Sequence, residues 1–467
     1  MTEKTLIKGG HVVGFDAAMA DILLEGAVIK AVEREISADG ARVIDASGMI
    51  VMPGFVDTHR HLWQTSIRGV AADWSLVEYI RNIRLGYATS YRPEDVYIST
   101  YVGALEAIDA GITSLCDYCH IIRSPEHTEA AVLALRDAGM RVRFHQGFYD
   151  IPDERPVFTD HDARLEHARA VRTGMFAGTS PSDLISMGVA LTEFGLVSID
   201  KTRAEVELAR ELDLPITMHM GTLSTPDGVS RLRNGGLLGP DMLHVHCNAS
   251  SDEELRQIAD SGGHVSITPE TEMQMGMGFP ITNRALAAGL RPTFGIDIVS
   301  DCSGDMFAQM RLALQTARAI DNERVLKTGK MPVTIDLTVR DAFDFATIDG
   351  AAAMGLRDQI GSITPGKRAD IVLLTMDGIH HMPPSPDPIA TIVLQARPSD
   401  VHTVIIDGAE RKRDGKLVGA ELAPIRRRAR ASAEHLAAAI SDAATRTGGT
   451  NTATVYAGAV TQATEAH

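Results

Sequence analysis

Five residues carry side chains that could work together on one metal ion and one substrate. His59 and His61 form a His-Arg-His run directly after the apolar stretch Gly54-Phe55-Val56-Asp57. On a strand, positions i and i+2 point the same way, so both imidazoles can reach a single ion. His219 ends the apolar run 215–219, and Asp297 ends the run 292–297. Three histidines and one carboxylate suit a divalent ion, Zn²⁺ first, with Fe²⁺, Co²⁺ or Mn²⁺ accepted by the same donors, and they leave a position for water. Water on such an ion loses a proton near neutral pH. Asp297 is placed to take that proton and return it to a departing nitrogen, so it is expected to be both ligand and catalyst. His246 closes the run 242–246. With four ligands already assigned, it is expected to be the catalytic group that stabilises a developing oxyanion. His244, two residues deeper, reads as a packed and satisfied core histidine.

A two-metal site needs a bridging anion, often a carbamylated lysine. Lys201 is the one lysine between His59 and Asp297, and it falls at a helix start. Glu193, after the fourth apolar run, is the alternative bridge; a solvated rim glutamate is the commoner outcome, and a single ion is expected. Trp63, Gln64, His120, Thr222, Glu270 and Glu272 flank the ligand-bearing runs and are the expected substrate-binding residues. Met273, Met275 and Met277 suit either an adaptable pocket wall or ordinary core. Cys116 and Cys119 have Cys-x-x-Cys spacing, but no second pair completes a zinc site, so they read as buried thiols.

These residues need a frame. Eight short apolar runs (54–57, 113–117, 141–145, 185–191, 215–219, 242–246, 264–267 and 292–297) alternate with helical patterns such as 202–212, 251–260 and 283–288. That alternation predicts an α/β chain with a (β/α)8 barrel, and the polar residues at the carboxyl ends of the runs mark the end where such a barrel keeps its site. Residues 1–52 and 358–420 read instead as strands and Gly-rich turns, with Asp-Gly pairs that signal hairpins. The expected organisation is a β domain built from 1–52 and 358–420, a barrel over 53–357, and, over 421–467, a helix at 421–439 followed by a mobile tail at 441–467. The 467 residues carry 45 Lys+Arg against 61 Asp+Glu, a net charge of −16. This balance argues against nucleic acid as a partner, since phosphate binding needs clustered basic residues. No uncharged run is long enough for a membrane span, and the start has no secretory pattern. The expectation is a cytoplasmic protein acting on a small molecule; because this kind of fold often self-associates, a homo-oligomer is also expected.

The runs Pro53–Thr65 (PGFVDTHRHLWQT) and Gly361–Val372 (GSITPGKRADIV) resemble the signatures of the amidohydrolase superfamily. The likeness continues through Ser66–Gly69, His246-Cys247, Gly295–Asp297 and Met310–Leu314, and covers roughly residues 4–420. It is nearest to the branch holding triazine chlorohydrolases, cytosine-deaminase-like enzymes and S-adenosylhomocysteine deaminases. The resemblance implies a metal-dependent hydrolase with His59, His61, His219 and Asp297 as ligands and His246 as catalytic histidine. It breaks at one place. The deaminase branch carries a proton-shuttling glutamate three residues after the fifth-strand histidine, and here that position is Thr222. A threonine has no usable pKa near neutrality. Cleavage of an amide, urea or carbamate needs one carboxylate only, so hydrolysis of that type is the expected reaction, and the runs around His59–Gln64 and Glu270–Gly276 resemble a phenylurea and thiocarbamate hydrolase subgroup. The alternative is deamination or dechlorination of a purine, pyrimidine or triazine, with Glu270 or Glu272 replacing the missing glutamate. A non-catalytic scaffold is the remote third reading, since all four ligands are kept.

Overall fold

The computed structural model describes residues 3–15, 19–37, 39–222, 225 and 227–446. Its eight barrel strands are β6 (Phe55–Arg60), β7 (Ile112–Cys119), β8 (Arg141–Gly147), β9 (Ile185–Ala190), β10 (Ile216–Met220), β11 (Met242–His246), β12 (His264–Ile267) and β13 (Thr293–Phe294). Each overlaps one of the eight apolar runs. They pair in parallel in chain order from β6 to β13. The barrel closes just beyond β13. Asp297 N–H donates to the His59 carbonyl at 2.8 Å, and His61 N–H donates to the Asp297 carbonyl at 2.8 Å. Gly295 makes this seam possible, because a Cβ there would stand 2.7 Å from His59 Cβ and 2.8 Å from the His59 carbonyl oxygen.

The flanking strands are β1 (Lys4–Val12), β2 (Ala20–Glu25), β3 (Val28–Glu33), β4 (Arg42–Asp45) and β5 (Ile50–Pro53) before the barrel. After it come β14 (Ile371–Leu374), β15 (Val401–Ile406), β16 (Ala409–Arg413) and β17 (Lys416–Leu417). They form one sheet in the order β17-β16-β15-β14-β5-β1-β2-β3, with β4 also on β1, so strands from both ends of the chain meet at the antiparallel β5–β14 pair. Two-residue periodicity explains how this sheet holds the barrel. Val372 and Leu374 of β14 join the main core shared with the barrel, whereas Ile371 and Leu373 join the sheet's own core with Ile7, Ile22 and Val51. Both Asp-Gly hairpin signals are realised: Asp407-Gly408 and Asp414-Gly415 take φ of 54° and 79°, and 50° and 72°. Positive φ at both central residues is the turn that matches strand twist.

The helices fall close to their expected positions, for instance Ile199–Glu211, Asp252–Asp260 and Thr282–Ala287. Ser251 caps the second of these in a reciprocal box with Glu254. The last helix runs from Leu422 to Arg446, further than expected. The expected mobility of residues 447–467 lies outside the described residues. No helix among the described residues is long and apolar enough to cross a membrane.

Candidate active site

His59 lies on β6, and the turn after that strand carries His61. His219 lies on β10, His246 ends β11, and Asp297 follows β13. All five are buried at the carboxyl mouth of the barrel. His246, Cys247 and Asp297 take positive φ of 71°, 60° and 68°. Each such conformation costs a bulky L-residue on the order of 1–3 kcal/mol, and the surrounding fold has to hold it in place.

The donor atoms have the spacing of an ion's coordination shell. His219 Nε2 is 3.3 Å from His59 Nε2 and 3.3 Å from His61 Nε2. Asp297 Oδ1 is 3.2 Å from His59 Nε2 and 3.4 Å from His61 Nε2. A tetrahedral ion with bonds of ~2.0–2.1 Å separates its ligands by roughly 3.3–3.4 Å. The tautomers agree. His61 Nδ1 lies 2.8 Å from the Tyr118 carbonyl, which can only accept, so His61 presents a bare Nε2. His219 Nδ1 lies 3.0 Å from Glu193 Oε1, which fixes the same tautomer. Two lone pairs facing each other across 3.3 Å repel unless a cation lies between them, so these residues fit a divalent metal ion. Burial lowers the pKa of His59, His61 and His219, which favours the neutral form that binds metal.

His246 is held from behind. Its Nδ1 lies 3.0 Å from Thr268 Oγ1 and 3.4 Å from Glu272 Oε1, and its Nε2 lies 3.8 Å from Asp297 Oδ2. Burial alone would lower its pKa, but the Glu272 hydrogen bond and the charges of Asp297 and Glu272 outweigh burial and raise it.

Above these groups opens a cavity of about 450 Å³, the space at its mouth included. Its floor includes His61, His219, His246 and Asp297, and Thr222 lines it as expected. Met275 and Met277 contribute to its wall, whereas Met273 is exposed and does not. Four other residues expected to meet substrate are placed elsewhere. Trp63 and Gln64 belong to a tight 3-10 turn, Leu62–Ile67, that folds inward. Trp63 Nε1 donates to His120 Nδ1 at 2.9 Å, and Gln64 is engaged by Tyr79 and Ser300. His120 is stacked behind His61 with ring centroids 4.1 Å apart. Glu272 is fully buried; it accepts from Thr268 N at 2.8 Å and Asn248 Nδ2 at 3.3 Å, and so supports His246 instead of facing the cavity. Glu270 is the fifth correction: it turns to Ser303 Oγ at 2.7 Å and Gln309 Nε2 at 2.8 Å. Neither can stand in for the glutamate missing at Thr222. His244 is packed as expected but not satisfied: both ring nitrogens lack a partner, and burial pushes its pKa down to about 4.

Two charged residues of the cavity wall were not expected to face substrate. Glu193, considered as a metal bridge, is buried beside His219, and its Oε2 has no partner. Burial raises its pKa despite the nearby Arg84 guanidinium. Arg84 itself ends a short helical segment laid across the mouth, whose cavity face is Leu76, Tyr79, Ile80 and Arg84. The spacing 76, 79, 80, 84 is that of one helix face, and it was the available signal. The segment begins with a Ser75–Glu78 capping box and ends in a π turn at Ile80–Arg84, a distortion common where a helix serves a site.

The sequence profile described as "Amidohydrolase family" matches residues 50–411. A 5-methylthioadenosine/S-adenosylhomocysteine deaminase of Thermococcus kodakarensis is 30% identical over 429 residues, covering 86% of this chain and 92% of that protein. A 5'-deoxyadenosine deaminase of Methanothermobacter thermautotrophicus is 29% identical over 408 residues, covering 85% and 90%. Among solved structures, a zinc-bound adenosine deaminase from Xanthomonas campestris superposes with a TM-score of 0.82 at 23% identity, covering 93% of this chain and 98% of the other. A zinc complex of an atrazine chlorohydrolase variant from Arthrobacter aurescens does so with 0.82 at 21%, covering 92% and 100%.

Proposed function

The chain belongs to the amidohydrolase family and is a hydrolase of carbon–nitrogen bonds outside peptides, and from that premise we propose that it hydrolyses the amino group from a nitrogen heterocycle, releasing ammonia. The observation that carries this reading is the set of four donors at tetrahedral spacing on the floor of the cavity at the barrel's mouth. Relatives named as deaminases of adenosine derivatives support the choice of a heterocyclic amine over the amide, urea or carbamate expected from the sequence.

His59, His61, His219 and Asp297 would hold one divalent ion, zinc being the simplest choice. Such an ion lowers the pKa of water and polarises the group under attack. The remaining work falls to the chain. Asp297 uses Oδ2, the oxygen turned away from His59 and His61, to accept a proton from the attacking water and pass it to the leaving nitrogen. His246 Nε2 faces the same oxygen and steadies the entering oxygen atom by a hydrogen bond. Glu272 and Thr268 hold the imidazole in that orientation. Glu193, which lines the cavity beside His219, exchanges a proton with the ring nitrogen, the role for which Thr222 has no suitable group. The balance is simple: the water oxygen replaces the amino nitrogen, one water proton leaves with the amine as ammonia, and the other remains on the ring.

Thr222 favours a second reading, hydrolysis of an amide, urea or carbamate through Asp297 alone. Ammonia and amine release from zinc-loaded enzyme, measured across amino-heterocycles, aryl ureas, carbamates and amides, separates the two. Under the deaminase reading, Glu193→Gln lowers heterocycle deamination by about 10²-fold or more. Turnover confined to ureas or amides, indifferent to Glu193→Gln, would establish the second reading instead.

A further inference from the structure

Arg84 is the one lysine or arginine among the described residues that line the cavity. It is almost completely buried, its guanidinium lies 4.2 Å above the centre of the Tyr149 ring, and its Nη1 stands 3.5 Å from Glu193 Oε1. Its Nε has no partner, and neither has Glu193 Oε2. Arginine carries only donors and does not lose its proton in proteins. A carboxylate accepts. The wall therefore presents a donor stacked on the Tyr149 ring beside an acceptor, each with one side-chain atom that has no partner. Buried polar groups left unpaired are costly, and native proteins keep few of them except where a ligand completes them.

We infer that Arg84 and Glu193 form a two-point subsite for an amino-oxo heterocycle, in which Arg84 donates to a ring carbonyl oxygen and Glu193 meets the ring nitrogen beside it. This rests on the heterocycle-deaminase reading and sharpens it. A lactam edge, with an N–H or ring nitrogen next to C=O, offers complementary groups in adjacent positions. An amino-heterocycle without an oxo group sets a C–H against the Arg84 donor and leaves the guanidinium edge unpaired. Sites built to hydrogen-bond a substrate group reject analogues lacking it far more strongly than apolar pockets reject a missing methylene. Lysine does not reproduce the subsite, because its single ammonium neither stacks on Tyr149 nor offers a planar fork.

The test uses matched pairs that differ only by the oxo group: 4-aminopyrimidin-2-one against 4-aminopyrimidine, and 2-amino-6-oxopurine against 2-aminopurine. Zinc-loaded wild-type enzyme should release ammonia from the oxo member with a kcat/KM on the order of 10³-fold higher. Arg84→Gln and Arg84→Lys should both erase most of that ratio, the value for the oxo compound falling much further than that for its partner. Equal rates within each wild-type pair overturn the inference, as does an equal loss on both members in the two variants. Binding of the deaminated products, with and without the oxo group, is measured in parallel by calorimetry on wild type and Arg84→Gln. A preference for oxo compounds that disappears in the variant, with no ammonia released from any amine, upholds the subsite and sinks the deaminase reading. No binding preference sinks the subsite whatever the reaction proves to be. The wild-type pairs decide the question even if neither variant folds.

Discussion

Arg84 stands at the carboxyl mouth of the barrel and Arg141 at its opposite end; both are withdrawn from water, and the protein satisfies only one of them. Arg141 opens β8 and reaches into the sheet formed by the chain's two ends. Its Nε and Nη2 donate to the two oxygens of Asp370 at 2.7 and 3.2 Å, Nη2 also donates to Asp407 at 2.9 Å, and Nη1 donates to the Ser182 carbonyl at 3.1 Å. Asp407 is further held by Arg368, and its N–H donates to Asp370 Oδ1 at 2.8 Å. Arg84 has one long contact to a carboxylate that is already shared with His219. The joint spends its polar groups on the fold, and the mouth keeps them in reserve. Charge that is buried and fully paired anchors structure, whereas charge that is buried and half-paired marks a place where something else binds.

That contrast can be broken from either side. The largest expected effect is at the mouth. Asp297→Asn should lower turnover by on the order of 10⁴-fold, the upper range for losing an acid–base group. The melting temperature in the absence of metal should barely move, and a large drop there would mean that the mouth also carries the fold. Next comes the joint. Asp370→Ala leaves the Arg141 guanidinium buried without its main partner and should cost about 3–5 kcal/mol in denaturant unfolding. Activity per folded molecule should be retained, and a selective loss of activity would join the two regions functionally. Glu272→Gln is milder: it loosens the orientation of His246 and should reduce kcat by about 10–100-fold, with little change in KM.

The smallest effect is a pH slope. Glu205, buried on the helix Ile199–Glu211, accepts from Thr192 N at 2.9 Å and Thr192 Oγ1 at 2.7 Å. Burial pushes its pKa from 4.5 up to about 8. The folded chain therefore binds a proton that the unfolded chain has released over this range, so stability falls as pH rises from about 4.5 to about 8 and levels off above it. Glu205→Gln should flatten that part of the melting-temperature profile. An unchanged slope would place the sensitivity in other groups.

The candidate ligands were legible before any fold was known because two independent facts coincide at each of them: a metal-binding residue type, and the carboxyl end of an apolar run. Asp297 shows how far this goes, since its run yields only a two-residue strand, Thr293–Phe294, yet the residue arrives at the seam. Where the sequence misled, nearness along the chain was taken for nearness to substrate. Trp63 and Gln64 follow His61 directly, but the 3-10 turn that holds them points into the core. Glu270 and Glu272 flank Thr271 on the helix Pro269–Gln274; only Thr271 of the three lines the cavity, while the glutamates serve Ser303 and His246. Arg84 was missed for the converse reason. It lies far in sequence from every ligand, on a segment between β6 and β7, and reaches the mouth only because Leu76, Tyr79 and Ile80 pack that segment across it. The joint was harder still to read, because the charges of Arg141, Asp370 and Asp407 carry no local signal that they will meet.

The seam at which the barrel closes has a consequence for how the molecule is made. A ribosome delivers His59 and His61 early, His219 and His246 later, and Asp297 last of the five. Domains assemble as their segments emerge, but a contact between the first and last strands of a barrel has to wait for the whole intervening chain, and it bears the full entropy of closing that loop. Asp297 bonds through its backbone to His59 and His61 and through its carboxylate to the same ion-sized space. The last carboxylate donor therefore falls into place in the same step that finishes the barrel. A nascent chain stopped short of Asp297 has three of the four candidate donors and no closed wall to hold them.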